Sequence, residues 1–132
     1  MRFVNPLPFV RDMARAKGFY RDVLSLTVVA DHGDFVQFED GFALHDGASL
    51  LRTIFGEADV PAEGFGRRNL VLYFEVDDIE DALGRVRAHV ELIHPLRREP
   101  WGQRVCRFHD PDGHHDCFRH APRPRHRLPR RT

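Results

Sequence analysis

Apolar positions follow two periods along the chain, and the switch between them occurs twice. Met13, Ala16, Phe19, Tyr20, Val23 and Leu24 recur at three- and four-residue spacing, which predicts one apolar helical face from about 13 to 24. Short β-prone runs follow at Leu26–Val29, Phe35–Phe38 and Phe42–His45, separated by polar, glycine-containing turns. They predict three strands in a meander. The second half repeats the order: strand Leu70–Glu75, helix Ile79 to about Ala88, then strands Glu91–His94, Arg104–Phe108 and one near His115–Phe118. Asp110-Pro111-Asp112-Gly113, with Pro second and Gly fourth, suits a type I turn joining the last two strands. Residues 47 to about 67, carrying Gly47, Gly56, Pro61, Gly64 and Gly66, read as the connection between halves and a candidate lid. Leu50, Leu51, Ile54 and Phe55 are spaced for a short helix within it.

An internal echo supports duplication. Phe9-Val10-Arg11-Asp12-Met13 returns as Glu75-Val76-Asp77-Asp78-Ile79, 66 residues later. Each stretch closes an extended apolar segment and opens a helix, with Asp12 and Asp78 placed as N-caps. The result is β-α-β-β-β twice, an α+β pattern in which each helix covers one sheet face and leaves the other open. A ligand would sit on that open face.

Composition narrows the class. At 132 residues, 42% hydrophobic and 30% charged, the chain fits one globular domain. No apolar run is long enough to cross a bilayer, and no secretory signal is recognisable at the start, so the expected location is cytoplasmic, without membrane partners. Two cysteines, Cys106 and Cys117, form no zinc or redox motif and are expected to be free thiols. Counted outward from an unbulged Asp-Pro-Asp-Gly turn, they would be direct cross-strand partners. Charge is uneven: residues 119–132 hold six Arg and no acid, leaving 14 basic against 20 acidic residues before them. This Arg/Pro-rich tail shows no stacking aromatics or recognition-helix pattern, so nucleic acid is not an expected partner, and a disordered, solvated tail is. With Lys17 the only lysine, the arginine bias points to GC-rich coding, and the end beyond about Gly113 or His114 reads as a candidate out-of-frame segment.

Taken in order, Val10-x-Asp12 leading into Phe19-Tyr20-x-x-x-Leu24, Val76-x-Asp78-Ile79, Pro100-Trp101-Gly102 and Asp-Pro-Asp-Gly are individually weak and jointly specific. Residues 3 to about 118 resemble the vicinal oxygen chelate superfamily of glyoxalases, bleomycin-resistance proteins and extradiol dioxygenases. The resemblance implies an α+β fold of two tandem βαβββ modules with open concave sheets, in one domain over 1–118. Module one spans about 3–46, the linker about 47–68 and module two about 69–118. In metal-using members four side chains on the open faces hold a divalent ion. Carried over, those positions are Asn5, His45, Val71 and Cys117, of which only His45 is an ordinary ligand. Metal-dependent chemistry of the family type is therefore not expected. The residual metal alternative is zinc on His45, His115 and Cys117, the last two sharing a strand face.

The candidate ligand-binding residues are His45, Tyr73, Glu75, Trp101, Arg104 and Asn5. Each also has a plainer reading. His45 serves as a half-buried, satisfied histidine, Glu75 and Arg104 as solvated strand residues, and Trp101 as a core plug. Tyr73 and Glu75 share the open face with Val71 by alternation. The expected function is small-molecule binding without metal or other cofactor, by a homodimer, with no catalytic residue assigned. The alternatives are a metal-dependent lyase, isomerase or dioxygenase, and a scaffold domain with no small ligand.

Overall fold

The structure is a computed structural model and describes residues 1–121. Both modules form. Module one contains β1 (Phe9–Val10), α1 (Met13–Gly18) running into a wider π turn at Phe19–Val23, β2 (Val28–Asp31), β3 (Phe35–Phe38) and β4 (Ala43–Asp46). Module two contains β5 (Val71–Val76), α3 (Ile79–Val86), β6 (Glu91–Arg98), β7 (Arg104–His109) and β8 (His115–His120). Between them, α2 spans Gly47–Phe55, so the short helix in the connection is real and starts directly after β4. Asp46 caps it by accepting from the Ser49 amide at 3.0 Å, and Gly56 ends it in the left-handed region at φ +78°. The matched N-caps are also present: Asp12 accepts from the Arg15 amide at 3.1 Å and Asp78 from the Asp81 amide at 3.0 Å.

Each module builds one four-stranded sheet, ordered β1-β4-β3-β2 and β5-β8-β7-β6. The first strand of each module lies parallel to its last, and the remaining pairs are antiparallel. The two sheets turn their apolar faces into a shared core. Val10, Tyr20, Val36, Phe38 and Leu44 from module one meet Ile79, Leu83, Cys106 and Phe108 from module two. Full burial of such side chains contributes roughly 1.5–3 kcal/mol each, so the modules stabilise one another. β8 runs to His120, two residues past the expected domain end, and pairs on both sides. The segment beyond His114 is thus a central strand as far as His120, and the Arg/Pro-rich tail from 122 onward lies outside the described residues.

The Asp-Pro-Asp-Gly segment corrects one expectation. Its type I turn is present, with the Gly113 amide donating to the Asp110 carbonyl at 3.0 Å, but Gly113 then adopts φ +82° and the Asp110 amide bonds the His114 carbonyl. That extra left-handed residue is a bulge, and it slips the register by one. Cys106 pairs with Phe118, and Cys117 with Arg107. Because a one-residue slip reverses which face a side chain takes, Cys106 enters the core while Cys117 points to the open face. The cysteines are not cross-strand partners; both are free and buried.

The same segment joins the modules. Asp112 accepts from the Arg11 and Phe65 amides, while the Gly66 amide donates to the Asp112 carbonyl at 2.9 Å. Asp110 accepts from its own turn's Asp112 and His114 amides and from the Tyr20 hydroxyl at 2.7 Å. The His114 ring meets the Phe9 carbonyl at 2.8 Å. A Cβ at Gly66 would lie 2.0 Å from the Gly113 backbone, so the linker can approach this turn only as glycine.

Candidate functional site

Strand alternation leaves two open faces of different chemistry. On the first sheet, Phe9, Phe35 and His45 are register partners on the face opposite Val10, Val36 and Leu44. Phe65 from the linker covers Phe9 edge-on at 5.6 Å between ring centroids, and Phe35 lies 6.1 Å from the His45 ring. This face is largely aromatic. His45 is half-buried, with Nδ1 2.9 Å from the Asp46 carbonyl oxygen, as the plainer reading of that residue has it.

On the second sheet, register brings Tyr73 beside Cys117 and Cys117 beside Arg107, with Val71 next to His115 and Glu75 next to Arg119. Arg107 donates to the Glu99 carboxylate at 3.0 Å and faces the His94 ring nitrogen at the same distance. Arg97 donates to that carboxylate too, at 2.8 Å, and Glu99 is only 9% exposed, so one buried acid holds two arginines. Arg119 reaches Glu75 at 3.4 Å and lies 5.8 Å from the Tyr73 ring centre. Burial pushes the Cys117 thiol up although the Arg107 cation opposes it, and burial pushes the Cys106 thiol up to about 11. Neither is a ready nucleophile at neutral pH.

Two hollows adjoin this second face. One, of about 500 Å³, lies at its end, where Arg68, Arg107, His109 and His115 meet an apolar wall of Leu70, Val71 and Ile93. The other, of about 820 Å³, runs along the free edge of β5 and is closed on the far side by the Val23–Leu26 and Glu39–Phe42 segments of module one.

Tyr73 and Glu75 are therefore brought together, on the open face and beside the larger hollow. The other expected ligand residues are elsewhere. Arg104 takes the helix-side face with Cys106 and Phe108 and donates to Glu80 of α3 at 2.7 Å, so it does not reach the open face. Trp101 is 63% exposed in the β6–β7 turn, where its indole donates to Gln103. It neither fills the core nor lines either hollow. Asn5 precedes β1, and its amide donates to the Pro6 carbonyl at 2.8 Å.

The family's metal positions fit a metal poorly. Val71 has no donor atom, Cys117 is a buried thiol held protonated, and Asn5 offers only a neutral amide oxygen, a weak ligand. Among the described residues no three His, Cys, Asp or Glu side chains are grouped to hold an ion. His115 and Cys117 share a strand face, but among the described residues His45 is not grouped with them, so that zinc set is not assembled.

The open-face residues not anticipated from sequence are Arg107, His109, His94 and Glu99. Arg107 and His109 follow from alternation once Cys106 and Phe108 are placed in the core. His94 does not, because irregularities on both sides of it in β6 break the alternation.

Residues 3–116 match a family model described as a glyoxalase-like domain. The chain belongs to the glyoxalase-like domain family. Solved structures agree with this fold. A protein of unknown function from Agrobacterium tumefaciens str. C58 is 54% identical with a TM-score of 0.87, over 92% of this chain and 95% of that one. A glyoxalase/bleomycin resistance protein/dioxygenase from Nocardioides is 25% identical with a TM-score of 0.69, over 94% and 88%. A lactoylglutathione lyase from Agrobacterium tumefaciens is 24% identical with a TM-score of 0.69, over 91% and 93%, a likeness of fold. No curated protein matches the chain. No helix among the described residues is long and apolar enough to cross a membrane.

Proposed function

We propose that this glyoxalase-like protein is a small-molecule binding protein of the cytoplasm, working without a metal ion and as a homodimer. The observation that carries the reading is the polar open face of the second sheet. Tyr73 and Arg107 line two hollows there, next to Val71 and a protonated Cys117, which stand where metal-using relatives of this fold need ligands. Concave surfaces with an apolar wall and a few convergent polar groups are the usual setting for small ligands. Dimerisation is supported by the two half-open sheets, whose outer edges a second copy would cover.

Elemental analysis of the purified protein tests the metal-free part. Substoichiometric metal is expected, and stoichiometric metal that leaves on His45→Ala would replace this reading with a metal-dependent lyase, isomerase or dioxygenase. Sedimentation velocity tests the assembly, with a species of twice the 15.4 kDa chain mass expected.

A further inference from the structure

The hollow of about 500 Å³ at the end of the second sheet has an unbalanced lining. Arg68, Arg107, His109 and His115 face it, and no Asp or Glu does. Arg107 already shares Glu99, but that carboxylate is itself divided between two arginines. Arg68 has neither a hydrogen bond nor an ion pair among the described residues. His109 and His115 are direct cross-strand partners with ring centroids 5.2 Å apart at 66°. Their ring nitrogens likewise find no hydrogen-bond partner among the described residues. Two imidazoles and a free guanidinium thus offer unspent donors to one space, while Leu70, Val71 and Ile93 offer it a dry wall.

From this arrangement we propose that the hollow binds a small organic anion, its carboxylate or phosphate held by Arg68 and the His109–His115 pair and its short apolar body laid against Leu70, Val71 and Ile93. The planar fork of Arg68 suits two oxygens of one anionic head. Arg107, held by Glu99, adds positive charge to the same lining. The local surroundings agree: burial, then His109, Arg68 and His114, hold the His115 ring below its ordinary value, and an anion would relieve that crowding. The proposal rests on the reading of this face as a small-molecule site and adds the charge of its ligand.

The test uses the full chain with three probes: benzoate, phenyl phosphate and the neutral benzamide, read by thermal shift and calorimetric titration. The two anions are expected to raise the melting temperature progressively with the logarithm of their concentration above Kd, and benzamide to have little effect. Whichever of benzoate and phenyl phosphate binds tighter identifies the head group. Arg68→Gln, an exposed linker substitution with no folded-state partner to lose, is expected to weaken anion binding at least about tenfold, as loss of a charge-assisted contact does. His109→Gln is expected to act in the same direction, and Arg104→Gln, on the opposite face, to leave affinity unchanged. If benzamide binds as tightly as benzoate and Arg68→Gln changes neither, the anion assignment is wrong while the small-molecule reading stands. If none of the three probes shifts the melting temperature at millimolar concentration, the anion proposal is overturned; the small-molecule reading is decided separately, by screening neutral ligands.

Discussion

The two modules share a fold and differ in what they do with their β3–β4 and β7–β8 turns and with their open faces. In module one the Glu39–Gly41 turn is exposed and only lines a groove. In module two the corresponding Asp110–His114 turn is buried against the linker, β1 and the helix that carries Tyr20. The open faces diverge the same way, aromatic around His45 in one and ionic around Arg107 in the other. Duplication therefore preserved the sheet order and core pattern, while one copy took over joining the halves and presenting charge. Core positions answer to a partner across the fold, whereas turns and open faces are free to change.

The sharpest way to break this contrast is a glycine at each turn, Gly41 within the first and the linker's Gly66 packed against the second. Gly66→Ala drives a Cβ into the Gly113 backbone and is expected to cost about 3 kcal/mol or more, whereas Gly41→Ala meets open space and only a left-handed φ of +80°, costing about 1 kcal/mol. Urea unfolding of both variants measures the difference. Equal losses would mean that the second turn does not clamp the halves.

Next in size is the Tyr20 hydroxyl, which donates within the cluster formed by Asp110 at 2.7 Å and Asp116 at 2.9 Å. Tyr20→Phe leaves two buried carboxyls without that partner and is expected to cost about 1–3 kcal/mol. The cluster also predicts a pH signature. Burial first, then the Asp110 charge, holds the Asp116 carboxyl well above its ordinary range, and burial raises Asp110 as well. Above an unfolded carboxyl value of about 3.9 the folded chain then binds more protons than the unfolded one. The stability these groups supply is complete below that value and is lost as pH rises through the raised folded values. Asp116→Asn, keeping the hydrogen bond but not the charge, is expected to be more stable than the wild type at neutral pH, with the gap closing toward pH ~4. A gap independent of pH would show that Asp116 titrates in the folded protein as it does in the unfolded chain, with no upward shift.

The smallest effects belong to the element the halves have in common. Asp12→Ala and Asp78→Ala each remove one N-cap bond and are each expected to cost about 1 kcal/mol. Similar melting-temperature losses would mark the caps as a retained feature of both copies; a silent Asp12→Ala would show that the π turn beyond α1 has made that helix insensitive to its start.

The legible part of the molecule was that governed by period and spacing. The helical face from Met13 to Leu24 and the repeat of Val10-x-Asp12 as Val76-x-Asp78 placed both helices and their caps, because local hydrogen bonding and burial of one face demand those residues wherever the chain ends up. Tyr73 and Glu75 were placed on the open face for the same reason. The face of Arg104 is not legible in the sequence, because a strand's alternation tells two faces apart but does not say which is covered until a core neighbour such as Cys106 is fixed. The cysteine pairing failed on a single left-handed Gly113, a bulge that costs one residue of register and is invisible in a run that already reads as a good turn.

The sequence alone determined the element order, the duplication, the two caps and the poverty of the metal positions, all of which depend on residue type at fixed spacing. Only the tertiary structure decided that the Asp-Pro-Asp-Gly turn clamps the linker, that Asp116 shares a buried cluster with Tyr20, and that Arg68 meets His109 and His115 around one hollow. Those contacts join residues 40 to 100 positions apart, and their chemistry exists only when folding removes water from between them.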